Sequence, residues 1–175
     1  METSDADIKV QLLRSSPECW QRLWSAVDDL LAEQPSPWEL RTENADGALC
    51  MPYAVYTDAV NRVVHALDEV DAIVGFDWTR WDGGRRYQYG RGLDDAPVAD
   101  ACRVLTSITR AERFSDGTIG RALDEGTFLA ALLRLRRWYD GIAQIHAEHI
   151  HAPVGHSLIS RITSRFRLFQ ALLRE

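Results

Sequence analysis

Phe76-Asp77-Trp78-Thr79-Arg80-Trp81, taken with Arg110, Arg113 and Asp116, is the set of residues in this chain best equipped for chemistry. Arginine presents a planar fork of donors that grips a carboxylate or phosphate through two parallel hydrogen bonds, and an indole face stacks on a base or ring. In a small pocket, Trp78 and Trp81 would be the stacking wall and Asp77, Arg110, Arg113 and Asp116 the polar groups, for a nucleotide or another small anion. The competing reading is structural. The two tryptophans then cover the core, and Asp77 caps a turn or pairs with Arg110 or Arg113, because a buried charge needs a partner. Arg113 to Gly117 becomes a helix exit followed by a turn.

A second set lies in QIHAEHIHAPVGH, residues 144–156, which holds four of the five histidines. On a continuous helix His146 and His149 stand one turn apart, a workable spacing for two ligands of one metal, with Glu148 or His156 to complete the site. The spacing is not that of HExxH zinc hydrolases, whose histidines stand four apart with the glutamate placed as base. His149 also continues the spacing of Trp138, Ile142 and Ile145. Imidazoles near a helix C-terminus are in any case favoured by the dipole and the free carbonyls, so a helix end is the expectation and no cofactor is assigned.

The last apolar stripe, Leu158, Ile162, Phe166, Phe169 and Leu173, has Arg161 and Arg165 on another face and Arg167 and Arg174 nearby. Such a helix could dock on its own core, pair with a second subunit or lay arginines on nucleic-acid phosphate. No GxSxG is present, no cysteine has a local catalytic signature, and the glycines at 83–84 and 90–92 lack the lysine of a P-loop and the spacing of a dinucleotide fold.

These residues need elements to position them. Ser15 to Glu18 reads as a capping box with Pro17 in the first turn, and Trp20, Leu23, Trp24, Val27, Leu30 and Leu31 follow on one stripe. Residues 38–56 carry turn chemistry at Asn44-Ala45-Asp46-Gly47 and form either a small hairpin or an irregular wrap. Thr57 or Asp58 caps a second helix through Val60, Val63, Val64, Leu67 and Val70. The aromatic, glycine-punctuated stretch that follows, residues 72–90, reads as loop with at most one short strand. Asp94-Asp95 precedes a third helix with Val98, Cys102, Leu105 and Ile108 inward. A short fourth helix stops at Gly126. Thr127 opens a long fifth helix that Pro153 breaks, and a sixth covers Ser157 to Leu173. Residues 1–14 read as a loose or partly helical lead.

With 175 residues and 46% hydrophobic composition, one domain is the default. The net charge of −6 argues against nucleic acid. It divides unevenly: residues 1–71 hold 14 acids and 5 bases, −9, and residues 72–175 hold 12 acids and 15 bases, +3. The halves could neutralise each other inside one fold, or the basic part could meet an acidic partner. Cys19, Cys50 and Cys102 are an odd number without a CxxC pair, as in a reduced cytosolic protein. No run approaches the length of a membrane span, and Met1 to Asp7 is polar and acidic rather than a signal segment. A cytoplasmic protein without membrane contact is expected.

Met51-Pro52-Tyr53, Phe76-Asp77-Trp78 with Trp81, Arg110, Arg113-Phe114, Asp116-Gly117 and Leu123 through Gly126 into Leu132 and Leu135 resemble a bacterial family known only as a domain of unknown function. The resemblance covers about residues 50–140 and implies a small helical domain, often actinobacterial or phage-associated. It implies no activity. The leading helix and the tail after residue 140 are expected outside it.

The expected fold is therefore mainly α, a single compact domain of about six helices over 15–175 with or without a minor short β hairpin. The leading functional expectation is a non-enzymatic binding or regulatory protein acting through protein contacts or self-association. The alternative is a small enzyme or ligand-binding protein for a nucleotide or other small anion. A pocket where the polar groups converge would favour the second, an exposed apolar patch the first.

Overall fold

A computed structural model describes residues 3–34 and 36–150, with 145–150 as backbone only. Among the described residues seven α-helices, one 3-10 turn and one two-stranded sheet follow one another. They are α1 (Asp5–Leu12), α2 (Pro17–Ala32), β1 (Trp38–Glu43), β2 (Leu49–Tyr56), α3 (Asp58–Glu69), α4 (Gly83–Arg86), the 3-10 turn (Gln88–Gly90), α5 (Val98–Ala111), α6 (Thr118–Asp124) and α7 (Thr127–Ile150). The mainly α expectation holds, and the choice left open over 38–56 resolves to a hairpin. The expected sixth helix, Ser157 to Leu173, lies outside the described residues.

Helix α5 is the centre. Every residue from Val98 to Thr106 is buried, which marks a helix enclosed on all sides rather than one with a single wet face. α7 packs along it, and α1, α4 and α6 pack against it. A second pair, α2 against α3, closes the other side and buries Leu23, Val27 and Leu30 of α2 and Val60, Val63 and Leu67 of α3, while Trp20 stacks on Tyr139 of α7. Two of the polar side chains inside α5, Thr106 and Asp100, are fully paired. Thr106 Oγ1 donates to the Cys102 carbonyl at 2.8 Å and accepts from the Val74 amide at 2.9 Å. Asp100 accepts from the Tyr87 hydroxyl at 2.6 Å and from Arg103 Nη1 at 2.9 Å.

One local expectation changes, the cap of α2, and two open readings resolve. Residues 5–12 of the expected lead form α1, with Ile8 and Leu12 fully buried and a capping box between Ser4 and Asp7. Its docking comes from contacts distant in sequence, chiefly Asp5 with Arg103 Nη2 at 2.6 Å. Ser16, not Ser15, caps α2, accepting from the Cys19 amide at 3.4 Å with Pro17 behind it. Residues 72–90 hold no strand, only α4 and the 3-10 turn, because Trp81 and Tyr87 turn inward from separate short turns and leave no extended run to pair.

The hairpin is antiparallel, with Trp38 opposite Tyr56, Leu40 opposite Ala54 and Arg41 opposite Tyr53. Asn44 and Gly47 close its turn, Gly47 taking the left-handed conformation that only glycine adopts freely. The register shifts between Arg41 and Glu43, opposite the part of β2 where Pro52 has no N–H to give the ladder. No helix among the described residues is long and apolar enough to cross a membrane.

Candidate functional site

Asp77 spends its carboxylate on its own turn. Thr79 Oγ1 donates to it at 2.6 Å, Arg80 Nε stands 3.5 Å away, and its backbone carbonyl accepts from the Arg80 and Trp81 amides. Its partner is thus Arg80, not Arg110 or Arg113. Trp78 is half-buried and stacks on the exposed Phe114 ring with centroids 6.4 Å apart. Trp81 meets Phe76 edge-on at 5.5 Å and Tyr87 at 6.3 Å, and it occupies the space a Cβ on Gly83 would need. Asp116 is exposed in the turn before the left-handed Gly117.

Arg110 and Arg113 are brought together. They line a cleft of about 410 Å³ between α3, the end of α5 and the start of α6, with Tyr56, Val64, Asp68, Ile73, Glu112 and Ile119 among its walls. Trp81 lines a different, smaller recess of about 210 Å³. Neither cleft includes Asp77, Trp78 or Asp116, so the six expected residues divide over separate surfaces.

Sequence reasoning missed the polar centre of this region, Glu112. One carboxylate oxygen accepts from the Tyr56 hydroxyl at 2.8 Å and the Gly117 amide at 2.9 Å; the other accepts from the Ile119 amide at 2.8 Å. Glu112 therefore satisfies amides at the start of α6 and ties the base of the hairpin to α5. Burial first, then the hydrogen bond to Glu112, hold the Tyr56 phenol well above the ordinary tyrosine range. The only sequence signal for this was a glutamate three residues before the Ser115-Asp116-Gly117 turn.

A larger groove of about 580 Å³ runs between α2 and α3, but two ion pairs cross it, Arg22 with Glu69 and Arg62 with Asp29, each at 2.9 Å. His146 and His149 fall in the last turns of α7, where the backbone alone is described, and His156 lies outside the described residues. Among the described residues no three His, Cys, Asp or Glu side chains gather closely enough to hold a metal.

The hairpin is the other candidate surface. All of β1 after Trp38 is exposed, and Leu40, Leu49 and Met51 are 52%, 83% and 86% exposed. Trp38 anchors the arm: it lies against Gly120, stacks on Tyr56 at 6.4 Å and donates its indole N–H to Asp124 Oδ1 at 3.2 Å.

These features define a mainly α-helical domain that presents a projecting two-stranded arm. Residues 15–141 match the model of a family of unknown function, DUF6508, and the chain belongs to that family. No curated protein and no solved structure matches the chain. The family region starts at residue 15 rather than near 50, so α2 lies inside it, consistent with α2 and α3 forming one half of the core. The histidines after residue 141 lie outside the match, as expected.

Proposed function

We propose that this chain is a non-enzymatic binding protein of the bacterial or phage cytoplasm that acts through protein contacts, and that β1 pairs with β1 of a second copy. The supporting observation is the hairpin itself. A two-stranded sheet is marginal alone and gains from further strands, and an exposed edge offers unpaired N–H and C=O groups to another chain. Pro52 blunts β2 for this purpose, which leaves β1.

The side chains of β1 complement themselves. Glu39 and Arg41 lie on one face and pair with each other along the strand. In an antiparallel, two-fold pairing centred on Leu40, Glu39 of each copy stands opposite Arg41 of the other and the two Leu40 side chains meet on the axis. Isologous contacts of this kind are the commonest route to homodimers. That the aromatic and arginine candidates divide over separate surfaces further supports the protein-contact reading over the enzyme one.

Sedimentation equilibrium tests it. The full chain is expected to show a concentration-dependent dimer. Glu39→Arg turns two symmetry-related cross-strand pairs repulsive, each worth ~0.2–1 kcal/mol, and should weaken it about tenfold. The swap Glu39→Arg with Arg41→Glu restores the opposite charges and should recover the dimer. A chain that stays monomeric at all concentrations, or a dimer indifferent to both variants, would sink the proposal.

A further inference from the structure

We infer that the Arg110–Arg113 cleft binds a small organic oxyanion, a carboxylate or phosphate carried on an apolar body of about one ring, a property that goes beyond hairpin pairing and does not depend on it. Over half of the described arginines hold a carboxylate within 4 Å, from Arg22 with Glu69 to Arg137 with Asp94. The side chains of Arg110 and Arg113 make no hydrogen bond or ion pair among the described residues, although both line one recess. Arg110 lies in the last turn of α5 and Arg113 in the turn just after it, so two like charges border one recess. The helix dipole favours a cation in the last turn, which accounts for Arg110 but not for a second arginine in the same cleft.

The acids nearby balance the two arginines in charge, but neither is bonded to them. Glu112, between the two in sequence, has both oxygens committed to the Tyr56 hydroxyl and the Gly117 and Ile119 amides. Asp68, across the cleft on α3, is exposed and unpaired among the described residues. Two guanidinium groups therefore face two carboxylates, but with Glu112 bonded to Tyr56 and the amides and Asp68 solvated, both guanidinium groups keep free donors suited to bidentate capture of an oxyanion. One side of the remaining wall is apolar, where Val60, Val64, Ile73 and Ile119 continue the core outward to the cleft, and Asn61 and Thr109 add polar groups beside it. A volume of about 410 Å³ falls within the range of small-molecule sites. The apolar side of the wall favours a ligand with an apolar body over a bare inorganic ion.

Proton–nitrogen NMR of the full chain, following arginine Nε–Hε signals, tests this with phenyl phosphate, benzoate and inorganic phosphate as probes. Saturable shifts at Arg110 and Arg113 are expected with phenyl phosphate or benzoate, tighter than with inorganic phosphate. Response to phenyl phosphate alone assigns a phosphate monoester; response to benzoate alone assigns a carboxylate. Arg110→Gln and Arg113→Gln should each weaken binding at least tenfold while the remaining spectrum stays that of the folded chain. Arg85→Gln removes an exposed arginine outside the cleft and should change nothing. No saturable shift, equal loss in Arg85→Gln, or inorganic phosphate binding as tightly as the aromatic probes would overturn the inference.

Discussion

Glu112 connects three elements through one carboxylate, and its loss should be felt in proportion. Hydrogen bonds to a charged acceptor are worth ~1.5–3 kcal/mol each, net, and a truncated partner leaves its donors unsatisfied. Glu112→Ala is expected to cost ~3 kcal/mol, lowering Tm by about 6–12 °C for a chain of this size. Glu125→Ala, an exposed acid on the far side of α6, should stay within ~0.5 kcal/mol. Calorimetry of the two variants decides between a structural pin and an incidental contact. The same contact gives a pH signature. Burial and then Glu112 raise the Tyr56 phenol, burial and then Asp100 raise that of Tyr87, and burial pushes the Cys102 thiol from 9.0 up to about 12. A folded-state value above the unfolded one means the folded chain holds the proton more tightly, so the stabilisation is complete below the unfolded value and fades above it. Urea midpoints should fall as pH rises past 9 for Cys102 and past 10 for the two phenols. Tyr56→Phe should make that fall shallower, and a midpoint flat from pH 8 to 11 would contradict the assignment.

At the scale of elements, what positions the arm is a glycine. Gly120 lies inside α6, and the Cβ of an alanine there would sit 2.1 Å from the Trp38 ring, too close for the ring to stay in place. Gly120→Ala should therefore expel the indole from its seat, break its hydrogen bond to Asp124 and cost ~1–3 kcal/mol as an overpacked contact. The Trp38 indole N–H resonance is the direct readout. If it keeps its shift and the variant is as stable as the parent, the arm is anchored elsewhere. This anchor was invisible in the sequence because Trp38 and Gly120 are far apart and neither belongs to a periodic pattern. Elements with a strong apolar stripe, α2 and α3 above all, were legible from spacing alone. The hairpin remained ambiguous over 38–56 because an arm exposed on both faces has no inward side to impose alternation. α4 is four residues of Gly-Gly-Arg-Arg and carries no stripe to read.

For the whole molecule, the uneven charge of the chain finds its explanation in the packing. Asp5 pairs with Arg103 and Asp28 with Arg136, so acids of the first part meet arginines of the second across the fold. The fourteen-residue lead shows why such pairs matter. Its α1 has Ile8, Val10, Leu12 and Leu13 in eight or nine positions with no clean face, so only the tertiary partners reveal that Ile8 and Leu12 enter the core. The candidate site was half legible for a related reason: residue types pointed to Arg110 and Arg113, but which acids were already spent could be known only from their bonds. α1 also precedes the family match at residue 15, so a core shared across the family need not contain it. Here, however, burying Ile8 and Leu12 contributes ~1.5–3 kcal/mol each, and Asp5 supplies one of the two carboxylates of the buried Arg103 guanidinium. Removing residues 1–13 should therefore cost ~3–6 kcal/mol by urea unfolding, a large share of the ~5–15 kcal/mol of an ordinary domain. Ile8→Ala with Leu12→Ala in the intact chain should reproduce most of that loss, since the cavity falls in the same place. A truncated chain within ~1 kcal/mol of the parent would mean that α1 rests on a core complete without it.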